Sequence, residues 1–208
     1  SLLLAILLCI RMLPVSASAA DLTGSMSMID IKGRDHALSS SLPAPFGGYA
    51  SEKYTMLRIT DSSTGATKTA YCLELGISTY YQEQYQPSAD YPQFSQEQKE
   101  LINAVLTLGY NTDTGVKYGG SPEDEYIATQ ILVWLIAHKQ LGTQYENQIV
   151  SEFTVNSPGA KAVFTKLRKA VMDYRTIPSF ACEDSKYASS HTYELKYNAQ
   201  TGKYETTL

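Results

Sequence analysis

Two short runs, residues 54–60 (YTMLRIT) and 67–75 (TKTAYCLEL), mix apolar and polar positions with the period and composition of strands. The stretch DSSTG at 61–65 separates them, so the pair predicts a hairpin. Alternation places Tyr71, Leu73 and Leu75 on one face of the second strand and Ala70, Cys72 and Glu74 on the other. The segment before them, 26–48, is mixed, with Pro43, Pro45 and the Gly47-Gly48 pair marking loops within it. Residues 78–94 (STYYQEQYQPSADYPQF) are polar and aromatic without a period, which predicts a long loop.

The period then changes to that of helices. Ser95 opens a helix over 96–108 with Gln98 three residues on, as a capping box requires, and Gly109 closes it. After a loop at 111–120, Ser121-Pro122-Glu123-Asp124 combines an N-cap, a first-position proline and first-turn acids. That helix is expected to run to about Leu141, with Gly142 as its stop. An amphipathic third helix starts at Ser157 (SPGAKAVFTKLRKAVMDY), and Pro178 follows its end. The tail from His191 (HTYELKYNAQTGKYETTL) alternates again around AQTG, which predicts a terminal hairpin. Strands, three helices and strands make an α+β chain. Its β elements (about 26–80 and 190–208) would form a sheet or sandwich-like subdomain, with a helical block (about 95–177) inserted between them.

The central helix poses the chemical question. Ten of the twelve residues in YIATQILVWLIA, 126–137, are apolar or aromatic, and the exceptions are Thr129 and Gln130. A helix apolar all round is a buried one. A buried carboxamide without partners costs about 1–3 kcal/mol. Gln130 is therefore either fully hydrogen-bonded or no longer an ordinary glutamine. On the helix it shares a face with Tyr126, Ile127, Trp134 and Ala137.

Composition narrows the field. At 208 residues the chain is long enough for one domain with a core, and a net charge of −4 without a basic cluster argues against nucleic acid and anionic membranes. The sixteen tyrosines against one tryptophan lean toward a secreted binding protein. The apolar run at 2–13, Pro14 and the A-x-A pattern Ala17-Ser18-Ala19 read as a secretory leader, residues 1–19, and the chain as a segment of a longer protein. The mature part, 20–208, keeps Cys72 and Cys182, and in an exported protein a disulfide between them is the plain expectation. CxxC, HExxH and calcium-loop patterns are absent, as is a glycine-rich phosphate loop, so no metal or cofactor is expected.

Three readings follow. A secreted hydrolase would pair Cys72 with a base, His138 before His36 or His191. A non-covalent binding domain would bridge Cys72 to Cys182 and keep Gln130 as a hydrogen-bonded core amide. In the third, a strand holding Cys72 packs on the helix holding Gln130, and the thiol displaces ammonia from the amide to give an internal thioester. Rigid elements supply the orientation for that attack, while the sequence names no donor for the oxyanion.

YCLE at 71–74 resembles the aromatic-Cys-hydrophobic-polar signature of bacterial thioester domains, and TQILVW at 129–134 resembles their TQxx-hydrophobic-Trp signature. LKYNAQTGKY resembles their closing hairpin, so the likeness spans most of the chain after the leader. It implies a surface adhesin domain of Gram-positive bacteria, secreted and attached to the cell wall through regions beyond Leu208. Cys72 would be the thiol partner and Gln130 the acyl partner. A lysine amine of a host surface or matrix protein would open the bond once, leaving an amide cross-link. Such a domain is not an enzyme, needs no cofactor and does not insert into a membrane. Tyr71, Thr129, Trp134 and His138 are candidates to support or shield the bond, and the tyrosines of 78–95 for recognition.

Overall fold

The computed structural model describes residues 24–49, 53–76, 84–85, 91–176, 196–198 and 203–205. The expected leader, Cys182, His191, the terminal AQTG turn and most of the 78–95 loop lie outside them. The architecture is α+β. Strands β1 (Gly24–Asp30), β2 (Thr55–Asp61), β3 (Thr67–Ala70) and β4 (Gln84–Tyr85) form an antiparallel sheet in the order β3-β2-β1-β4. β1 falls at the start of the span expected to hold β elements, about 26–80. Its pattern, GSMSMID, is poor in β-branched residues, yet it pairs with β2 from Gly24 opposite Asp61 to Asp30 opposite Thr55. Gly24 is needed for close approach, because a Cβ there would lie 2.6 Å from Ile59 Cγ1. The β2–β3 hairpin forms as expected. Its turn is held by the Asp61 carboxylate, which accepts from the Ser63 N–H and hydroxyl and from the Thr64 N–H.

Four helices follow, not three: α1 (Gln96–Leu108), α2 (Pro122–Ala137), α3 (Glu146–Phe153) and α4 (Pro158–Thr176). The addition is α3, whose eight residues give too few repeats for its apolar positions, Ile149, Val150 and Phe153, to stand out as periodic. The predicted capping box of Ser95 with Gln98 is present, and the expected N-cap Ser121 forms one as well, with Asp124. α1 buries Gln98, Leu101, Ile102, Ala104 and Val105, one stripe of an amphipathic helix. α2 is buried at every position from Asp124 to Ile136 and packs against α1 and α4.

α2 stops at Ala137, short of Leu141. Lys139 turns into the left-handed region at φ 57°, and the Gln140 and Leu141 N–H groups both reach back to the Leu135 carbonyl. The carbonyls of Ile136 and Ala137 accept from Gln98 Nε2 of α1 at 2.8 and 3.0 Å. A neighbouring helix thus satisfies the last acceptors, and Gly142 is not required as the stop. The terminal strands β5 (Lys196–Asn198) and β6 (Lys203–Glu205) pair with each other in a separate two-stranded ladder.

Candidate functional site

β3 ends at Ala70, so Cys72 lies past the strand and not within it. The physical reason is in the helix beside it. Leu57 and Ala70 are opposed in the β2–β3 ladder, but the Tyr126 hydroxyl of α2 enters there. It accepts from the Leu57 N–H and donates to the Ala70 carbonyl, both at 3.1 Å. One helical turn further, Gln130 treats Cys72 the same way. Its Oε1 accepts from the Cys72 N–H at 2.9 Å, and its Nε2 donates to the Cys72 carbonyl at 2.7 Å. Helix side chains have replaced the next strand. The spacing permits it: four helix residues rise ~6 Å and two extended residues span ~6.7 Å. A third tie closes the series, from the Leu75 N–H to His138 Nε2 at 3.2 Å. Residues 70–75 therefore run alongside α2 in the same direction, pinned at Tyr126, Gln130 and His138.

Gln130 is 3% exposed, whereas Cys72 is half-buried. Gln130 is thus buried within the helix layer, while Cys72 packs against the core and stays partly exposed. The Cys72 thiol donates to the Glu74 carbonyl at 3.0 Å. The two residues that sequence reading singled out, 58 positions apart, are brought into direct contact through the backbone of one and the side chain of the other.

A family model for the thioester domain matches residues 69–172, half of the chain. The chain belongs to the thioester domain family. No curated protein and no solved structure matches it. The matched span opens just before Tyr71-Cys72 and reaches into α4, so it contains both contact partners of this thioester domain and leaves β1 and β2 outside.

The remaining expected site residues are placed as follows. Tyr71 stacks on Tyr126, with ring centroids 4.9 Å apart, and donates to the Tyr110 carbonyl at 2.5 Å. Thr129 donates to the Glu125 carbonyl of its own helix at 2.7 Å and also accepts from the Tyr110 N–H at 3.1 Å. Tyr71 and Thr129 thereby grip the two sides of one residue, Tyr110. Burial holds the Tyr71 and Tyr126 hydroxyls well above the usual tyrosine range, so both remain donors. Trp134 stacks between Tyr54 and Phe153 in the core.

His138 caps α2 and packs edge-on to Phe46. Burial lowers its pKa, against a smaller upward pull from Glu74. The imidazole is thus kept neutral, as acceptance from Leu75 demands. The Cys72 thiol donates to the Glu74 carbonyl, and His138 Nε2 accepts from the Leu75 N–H. Sequence reading missed Gln98 and Tyr126 as parts of the site. The capping box signalled Gln98's first role only, and Tyr126, one turn before Gln130 on the same face, was the available sign of the second.

Among the described residues no group of three or more metal-binding side chains occurs, and no helix is long and apolar enough to cross a membrane.

Proposed function

We propose that Cys72 and Gln130 form an internal thioester and that the domain uses it to attach covalently, once, to an amine on a host surface. The observation that carries this reading is the docking of the Gln130 carboxamide on both backbone groups of the residue that bears the thiol. Family membership adds the precedent of the chemistry. In formation, the Cys72 sulfur bonds to Gln130 Cδ, the Cδ–Nε2 bond breaks, and the thiol proton leaves on ammonia. In attachment, a lysine amine adds to the same carbon, and the Cys72 thiolate departs and takes up a proton. The product is an amide between Gln130 and the lysine. The domain is consumed and does not turn over, so it is not an enzyme, and the partner is a host cell-surface or matrix protein. The reading places the protein outside the cell, as a cell-wall-attached adhesin of a Gram-positive bacterium.

Intact mass tests it directly. The mature chain, 20–208, should weigh one ammonia less than calculated, and its Cys72→Ala variant should have its full mass. Methylamine should then add its own mass to the wild type alone. A full-mass wild type, or a Cys72→Ala variant that still cross-links, would sink the thioester. A deficit of two hydrogens would instead establish a Cys72–Cys182 disulfide and the non-covalent alternative.

A further inference from the structure

Attack on an amide builds negative charge on its oxygen, and collapse toward a thioester requires the nitrogen to leave in place of the sulfur. The first needs a hydrogen-bond donor fixed on the oxygen. The second needs the nitrogen protonated, because a thiolate leaves far more readily than an amide anion. Building on the internal thioester of the preceding section, we propose that the main chain of Cys72 performs both tasks: its N–H is the oxyanion donor, and its carbonyl steadies the departing ammonia.

The geometry on which this rests is the pair of hydrogen bonds to Gln130. The donor that the described residues present to Oε1 is the Cys72 N–H, at 2.9 Å. That is a full hydrogen bond to the amide oxygen that becomes the oxyanion. The peptide is held by Tyr71, whose hydroxyl is tied to Tyr110, and by the Leu75–His138 bond three residues on. The donor is therefore in place before charge develops, and no reorganisation is needed when it does. The buried setting of Gln130 strengthens the bond further as Oε1 becomes anionic.

The Cys72 carbonyl accepts from Nε2 at 2.7 Å. Once the nitrogen becomes tetrahedral and takes the proton given up by the thiol, this bond becomes charge-assisted and favours the protonated form. The Cδ–Nε2 pair then leaves with ammonia, the oxyanion pair returns to Cδ, and the sulfur stays. The nucleophile thus carries its own catalytic groups on its own backbone, and the residue type at position 72 does not advertise them.

Replacing the Cys72 N–H by oxygen removes only the donor. The α-hydroxy analogue of cysteine, incorporated at position 72 of the full chain, does this and keeps the thiol. The α-hydroxy analogue of leucine at position 73 instead turns the Cys72 carbonyl into an ester, a weaker acceptor. Each chain is refolded, its fold checked by circular dichroism, and ammonia loss and methylamine uptake are followed by intact mass.

The position-72 ester should slow both reactions by about 100- to 1,000-fold. The position-73 ester should slow ammonia loss more than methylamine uptake. A folded position-72 ester that loses ammonia within about threefold of the wild-type rate overturns the proposal, since a working donor is worth far more. If that ester does not fold, the infrared band of an isotope-labelled Gln130 carbonyl in the wild-type thioester decides. A band below that of an alkyl thioester in apolar solvent supports the N–H donor, and a coincident band overturns it. A wild-type chain of full mass would be a different failure, that of the thioester itself.

Discussion

Gln130 commits both ends of its amide to one residue, and that sets what can replace it. In a Cys72→Ala background, where no thioester can form, Gln130→Glu still accepts from the residue-72 N–H but turns its second oxygen toward the residue-72 carbonyl. At 3% exposure this pairing of acceptors should cost about 2–4 kcal/mol near neutral pH, read from urea midpoints. The same environment raises the carboxyl pKa in the folded state, so the folded form binds the proton more tightly than the unfolded one. The deficit should therefore shrink as pH falls, because the protonated acid can donate where Nε2 did. A deficit independent of pH would mean that the carboxyl has swung out of the cradle. Thr129 is as constrained. Gly109 lies so close that an added Cβ would stand 2.5 Å from Thr129 Cγ2. Thr129→Val keeps the shape but abandons the Tyr110 N–H, and should lose about 1–3 kcal/mol of stability, whereas Thr129→Ser should lose less.

Elements meet at this site through side chains that serve two of them at once. Gln98 accepts from the Ser95 N–H at the start of α1 and donates to Ile136 and Ala137 at the end of α2. Gln98→Ala should lower stability by about 2 kcal/mol, more than an isolated cap, because it leaves the Ser95 N–H of α1 without its acceptor and the Ile136 and Ala137 carbonyls of α2 without their donor. It should also raise amide hydrogen exchange in the turn after Ala137, next to His138. Unchanged exchange there would show that the reach from α1 does not hold the end of α2. Gln98 also shows how far the sequence could be read. SQEQ signalled a capping box from local spacing alone, and that box forms. The second role needed knowledge of which helix end lies alongside, and no local pattern carries that. The end of α2 was misplaced for the same reason: Gly142 is a sound stop signal, but carbonyls satisfied from α1 and a left-handed Lys139 ended the helix earlier.

Across the molecule, the helical block and the sheet are joined by an aromatic cluster. His36 is 3% exposed, packs among Tyr49, Tyr54 and Phe153, and its two ring nitrogens have no hydrogen-bond partner among the described residues. Burial outweighs the nearby Asp35 and lowers its pKa from 6.5 to about 4. Above 6.5 the ring is neutral in folded and unfolded chains alike, and its contribution to stability is complete. As pH falls below 6.5 the unfolded chain takes up a proton that the folded one refuses, so stability declines until pH reaches about 4. Across that window the loss should approach about 3 kcal/mol. Urea midpoints for wild type and His36→Phe should diverge in this window, with the phenylalanine variant flatter. Parallel curves would assign the acid sensitivity to other groups.

Local chemistry in the sequence determined a good deal: the Ser95 capping box, the Ser121 helix start, the β2–β3 hairpin with its Asp61 turn, and the burial of α2. Each rests on residues within a few positions of one another, where spacing translates directly into hydrogen bonds or burial. Tertiary structure alone decided where β3 stops, which strands β1 pairs with, and that the Gln130 amide meets a backbone and not a side chain. These follow from which groups of distant segments satisfy one another. Residues 70–72 give up a strand partner because Tyr126 and Gln130, one turn apart on a buried helix, match the two-residue repeat of an extended chain.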